Sequence, residues 1–174
     1  MRTREHGFTL VESLMTVLLV AIAAAVTVPG MATGFRRYQL DAATREIAGQ
    51  IRAARLRAVT ANETMRVRFN CPAPGQLRVV QLVDSPAIDD AADRCSGAAY
   101  PFPDRDETVE PNHDGPVMAL RGGIRLGEEV FDIEIAPTGR MTASEGTLPA
   151  TIVVRDDHET RGVTVTAAGQ VVGS

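Results

Sequence analysis

The residue types able to do chemistry fall into four sets, and spacing limits each of them. Asp104, Asp106, Glu107, Glu110 and Asp114 crowd together within residues 104–114. A hard cation such as Ca²⁺ takes oxygen ligands of this kind. The run lacks the central glycine of an EF-hand loop, so a solvated acidic loop is the simpler reading and no metal site is predicted. Beyond residue 7 the only histidines are His113 and His158. No G-x-S-x-G turn, phosphate loop or metal-ligand spacing accompanies them, so the sequence predicts no catalytic residue, no cofactor and no enzyme.

Cys71 and Cys95 are the third set. Neither has a histidine or a third cysteine near it in sequence, which argues against zinc. A disulfide is expected if the domain lies outside the cytoplasm, where closing a loop of this size contributes about 3 kcal/mol in the chain-entropy model; a pair of unbonded thiols is the alternative. The fourth set is arginine, which supplies all eighteen basic residues. Residues 36–78 hold nine arginines against Asp41, Glu46 and Glu63, a net +6, whereas residues 79–174 hold seven against seventeen acids, a net −10. Such asymmetry suggests complementary charge within a subunit or between neighbours. Arg45, Arg52, Arg55 and Arg57, with Arg66 and Arg68, also have the chemistry to meet phosphates, Arg52 and Arg55 above all.

These sets must be positioned by a chain whose first stretch is unusual. From Ser13 to Phe35 there is no charged side chain, and twenty-odd apolar residues at about 1.5 Å each cover the roughly 30 Å hydrocarbon core of a bilayer. The run is apolar on every face, which fits lipid or a bundle of identical helices. Arg2 and Arg4 precede it, the positive-inside arrangement that leaves the C-terminal bulk outside the cytoplasm. Glu12 sits inside the run, where a carboxylate near the helix centre would cost about 2.5–3.5 kcal/mol. Pro29, near its far end, predicts a kink. A rival reading is a secretory signal peptide with small residues at Ala23, Ala24 and Ala25, releasing a soluble domain near Val26.

Gly7-Phe8-Thr9-Leu10-Val11-Glu12, behind a short basic leader and ahead of a proline, resembles the processing motif of type IV pilins and type II secretion pseudopilins. The resemblance implies cleavage after Gly7 by a prepilin peptidase, N-methylation of Phe8, and retention of the apolar helix as an inner-membrane anchor and then a filament core. It also accounts for Glu12, whose carboxylate would face the α-amino group of Phe8 on a neighbouring subunit, an attraction of roughly 4 kcal/mol gross at 4 Å and an effective dielectric near 20. Register, more than stability, is what such a pair sets.

Past Gly34 the pattern turns amphipathic. Leu40, Ala43, Ile47, Ile51, Ala54 and Ala58 recur at helical steps, while Arg37, Asp41, Arg45, Arg52 and Arg55 fall off that stripe. One helix is expected from about Phe8 to Thr60, with Pro29, Gly30 and Gly34 as a weak point. Alternation predicts a hairpin of Met65–Phe69 and Leu77–Val83, then an unpatterned stretch over 84–116 partly pinned by Cys95. Further strands are expected at Val117–Leu120, Ile124–Leu126, Val130–Ile135, Thr151–Arg155, Gly162–Thr166 and Gln170–Val172. The Ala-Arg-rich helix end over 53–69, the strand running into Pro137-x-Gly139, and the final strand-turn-strand with Gly169 resemble the GspH/FimT type of minor pseudopilins and minor pilins. That resemblance implies two antiparallel sheets packed against the C-terminal half of the helix.

The expected architecture is therefore α+β: a leader over 1–7, a transmembrane or filament-core helix over 8–35, its amphipathic half over 36–62, and a β-rich domain over 63–174. The expected function is structural, a minor pilin or pseudopilin assembling with other pilins after insertion in the inner membrane, the β-rich domain in the periplasm. DNA capture is the alternative from another class. The DNA-binding members of the resembled group carry arginines around the final glycine turn, whereas this chain ends Ala-Ala-Gly-Gln-Val-Val-Gly-Ser with no arginine after Arg161, so nucleic acid is not the expected partner.

Overall fold

The computed structural model describes residues 9–103, 108, 110–127 and 130–173, the side chains at 26–30, 32 and 33 excepted. The chain divides into two compact units, Met1–Tyr38 and Gln39–Ser174. A helix, α1 (Leu10–Ala61), enters both.

Local chemistry fixes both ends of α1. At its start the Glu12 backbone N–H donates to Thr9 Oγ1 at 3.3 Å, and Glu12 lies in the first turn. Thr-x-x-Glu is the spacing of a capping box, and an acid there also meets the positive end of the helix dipole. At its end Asn62 takes a left-handed conformation (φ 57°), and Glu63 N–H donates to Ala58 O at 3.1 Å. That six-to-one bond closes a Schellman cap. Between them the helix is continuous through Pro29; the proline's side chain lies outside the described residues.

In the second unit the stripe of α1 is buried. Leu40, Ile47, Ile51 and Ala58 are inaccessible and join one apolar core with both sheets. The first sheet has five strands in the order β3-β2-β1-β5-β6, formed by β1 (Met65–Phe69), β2 (Gln76–Gln81), β3 (Val117–Ala119), β5 (Ile133–Ile135) and β6 (Met141–Ala143). The second runs β4-β7-β8-β9, from β4 (Arg125–Leu126), β7 (Ala150–Arg155), β8 (Thr160–Val165) and β9 (Val171–Gly173). Every pairing among these strands is antiparallel. Met65, Val67 and Phe69 alternate inward on β1, as do Ile152 and Val154 on β7 and Val163 and Val165 on β8.

Several boundaries differ from expectation for physical reasons. Strand β6 is absent from the expected strands because Met-Thr-Ala offers one large apolar residue, Met141, and no alternation around it. Strand β5 begins at Ile133 rather than Val130, since Asp132 turns its backbone N–H to Ser144 Oγ and its carboxylate to Phe69 N–H instead of entering the ladder. The stretch 84–116 holds a short helix, α2 (Pro86–Asp89), entered through proline at its first position. Much of this segment buries β2, whose residues from Leu77 to Gln81 are shielded on both faces.

Candidate functional site

Three places carry the residues singled out by sequence. The first is the start of α1. Gly7 and Phe8 lie outside the described residues. Glu12 is exposed, as are the apolar residues around it: Leu10 is 77% and Val20 68% accessible. Side chains this apolar gain only when something covers them, at roughly 25 cal/mol per Å². Among the described residues no helix is long and apolar enough to cross a membrane; the expected span, 8–35, includes Phe8 and seven residues whose side chains are outside the description.

The second place is the outer face of the five-stranded sheet. Cys71 and Cys95 are joined by a disulfide with Cα atoms 5.6 Å apart. It ties the β1–β2 turn to the covering segment, beside two arginines that are wholly buried. Arg78 donates to the carbonyls of Gly115 and Ser96, each at 2.9 Å, and to that of Tyr100. Arg94 forks onto the Asp114 carboxylate, reaches Gln81 O at 2.7 Å and lies over the Tyr100 ring at 4.5 Å. Asp114 in turn accepts Gln81 N–H at 2.9 Å. Charge-assisted, forked bonds of this kind are what make a buried guanidinium tolerable.

That arrangement accounts for one member of the acidic run, since Asp114 is buried against Arg94 rather than solvated or facing a cation site. Asp104, Asp106 and Glu107 lie outside the described residues, Glu110 is exposed, and among the described residues no cluster could hold a metal. His113 spends its Nδ1 on Glu63 Oε2 at 2.8 Å, and His158 sits exposed in the β7–β8 turn.

The charge asymmetry resolves partly within the chain. On β1, Arg66 reaches Glu134, its direct cross-strand neighbour on β5, and Asp90, both at 2.7 Å. Burial alone would lower the Arg66 pKa, but the hydrogen bonds and attraction of Asp90 and Glu134 outweigh it and raise it. Arg68 reaches Asp132 at 3.3 Å. Arg161 of β8 meets Asp41 of the helix at 3.1 Å.

The third place is the seam between the sheets, where Arg52 and Arg55 point. Arg52 donates to Val171 O at 2.6 Å and Arg55 Nε to Gly139 O at 3.0 Å. Arg55 is held between two turns of the same build. In the β5–β6 turn, Ala136 N–H bonds Arg140 O and Gly139 N–H bonds Ala136 O; in the β8–β9 turn, Thr166 N–H bonds Gln170 O and Gly169 N–H bonds Thr166 O. Both glycines have positive φ, 77° and 82°, as a type I turn closed by a glycine bulge requires. A Cβ on Gly169 would fall 2.7 Å from the Arg55 guanidinium carbon, and one on Gly139 3.0 Å from Nε. The turns were legible in sequence as Pro137-x-Gly139 and Ala168-Gly169; their shared guanidinium was not.

A family model of the prokaryotic N-terminal methylation motif matches residues 2–28. No curated protein matches the chain. Among solved structures, the type IV minor pilin FimU of Pseudomonas aeruginosa aligns at 14% identity over 80% of this chain and 90% of its own, with a TM-score of 0.52. A second crystal form of FimU gives 12% identity, coverage of 77% and 91%, and 0.48. The minor pseudopilin EpsH of the type 2 secretion system of Vibrio cholerae gives 14%, 78% and 96%, and 0.49. The fold is thus pilin-like, an N-terminal helix followed by a C-terminal domain of two antiparallel sheets, as expected from sequence. Its N-terminus carries the methylation motif.

Proposed function

We propose that the chain is a non-catalytic structural subunit of a type IV pilus or a type II secretion pseudopilus. The observation that carries this reading is the methylation motif over 2–28, running into a helix whose described apolar side chains from Leu10 to Phe35 are left exposed. A prepilin peptidase cuts after Gly7, and the new N-terminus, Phe8, is methylated. The apolar helix first holds the subunit in the inner membrane with the sheet domain in the periplasm. It then packs against the helices of other pilins, which removes its apolar surface from lipid without exposing it to water. The Glu12 carboxylate faces the Phe8 amino group of a neighbour and sets the register.

Peptide mass spectrometry of the mature protein from its native host tests the reading. An N-methylated Phe8 is expected; a chain starting near Val26 would overturn it. Glu12→Val should insert normally yet enter filaments poorly, and normal incorporation would remove the register role. Arg52 and Arg55 each donate to a carbonyl, of Val171 and Gly139, which gives both a structural role in holding the helix to the sheets.

A further inference from the structure

The seam between the sheets is also a cleft. It has a volume of about 350 Å³ and is lined by Arg55, Thr138, Gly139, Arg140, Ala167 and Ala168. Arg55 forms its fixed floor, held through Nε on Gly139 O. Arg140 is an exposed cation at the rim. Among the described residues no acid stands within ion-pairing distance of either guanidinium. That sets the pair apart from Arg66, Arg68, Arg94 and Arg161, each of which meets a carboxylate. Among the described residues only small side chains line the remainder, so the space above the arginines is open.

We infer that this cleft docks the carboxylate side chain of an acidic polypeptide segment, with Arg140 recruiting it and the Arg55 guanidinium receiving it against the two turns. Planar guanidinium groups present forked donors matched to a carboxylate. A polypeptide fits better than a nucleic acid on three counts. The segment that carries both turns is acidic in sum, a net −10 over residues 79–174, so a long polyanion is repelled at a distance while a single carboxylate meets two local cations. Two arginines make no track along a phosphate backbone, and among the described residues no aromatic ring lines the cleft for a base to stack on. The inference does not depend on the filament reading, and the N-terminal mass of the mature chain leaves it untouched.

The test is an NMR titration of the full-length protein in detergent micelles, following the arginine Nε–Hε signals. The probes are the blocked peptide Gly-Glu-Glu-Gly, its Gly-Gln-Gln-Gly counterpart and a short oligothymidylate. Saturable shifts of the Arg55 and Arg140 signals are expected with the glutamate peptide alone. Arg140→Gln should weaken that binding about tenfold, the worth of one charge-assisted hydrogen bond, and Arg140→Lys should weaken it less. Ala168→Leu, which fills the cleft without removing charge, should abolish the shifts at an unchanged thermal midpoint. Equal response to the glutamine peptide, shifts that never saturate, indifference to both Arg140→Gln and Ala168→Leu, or a stronger response to the oligothymidylate would each overturn the inference.

Discussion

The two faces of the five-stranded sheet are buried by opposite means. Its inner face meets the α1 stripe in an apolar core, Met65, Val67, Ile133 and Ile135 with Ile47 and Ile51. Its outer face carries arginine: Arg68 and Arg78 stand directly opposite one another on β1 and β2, an arrangement that costs energy unless each finds its own acceptor. Arg68 takes Asp132, and Arg78 is roofed by carbonyls of the 84–116 segment. An apolar face is held by area and is forgiving of shape. A polar one is held by matched bonds and fails when a single partner is withdrawn.

Withdrawing that partner should give the largest effect. Asp114→Ala leaves Arg94 buried without its acid, and urea unfolding should show a loss of about 3–5 kcal/mol. On the apolar face, Ile47→Ala should cost about 2–4 kcal/mol through lost transfer energy and a cavity. If Asp114→Ala proves milder than Ile47→Ala, the contrast between the faces fails. Gly169→Ala combines a positive φ with the Arg55 contact and should cost about 1–3 kcal/mol. In an Arg55→Ala background the steric share should vanish, leaving the backbone share, as a double-mutant cycle would resolve.

The smallest effect concerns Asp132, at the margin of the polar face. Burial pushes its carboxyl above the ordinary 3.8, against the lowering pull of Phe69 N–H and then Arg68. A raised carboxyl pKa means that the folded state binds the proton more tightly. Stability from this group therefore falls as pH rises from 3.8 through the folded value, and the penalty is full above it. Asp132→Asn, which keeps an acceptor for Phe69, removes that slope. Urea midpoints should show the wild type gaining on the variant as pH drops from about 7 to about 4. No change in the difference would place Asp132 among ordinary surface acids.

The contrast between the faces also explains what could be read in advance. Periodicity reports apolar burial, so the stripe from Leu40 to Ala58 and the strands of both sheets other than β6 are legible. The same pattern is silent on where an arginine finds carbonyls 18 to 37 residues away, so nothing in the sequence singles out Arg78 and Arg94, and 84–116 reads as an unpatterned stretch. Asp114 looked like a member of an acidic run because its neighbours in sequence, not its partner in space, were visible. Glu12 shows a different omission. Its place three residues after Thr9 is also a capping signal, a local role beside the apolar run and the neighbouring Phe8 amino group that the sequence sets against it.

One guanidinium wedged between twin turns has a mechanical consequence. The β5–β6 turn belongs to one sheet and the β8–β9 turn to the other, and Met141 N–H bonds Ala167 O across the same seam. Sliding one sheet along the other would have to expel the Arg55 head group and shear that bond together. Arg55 thus acts as a dowel: a load applied to either sheet is passed through α1 to its partner, and the two plates answer as one.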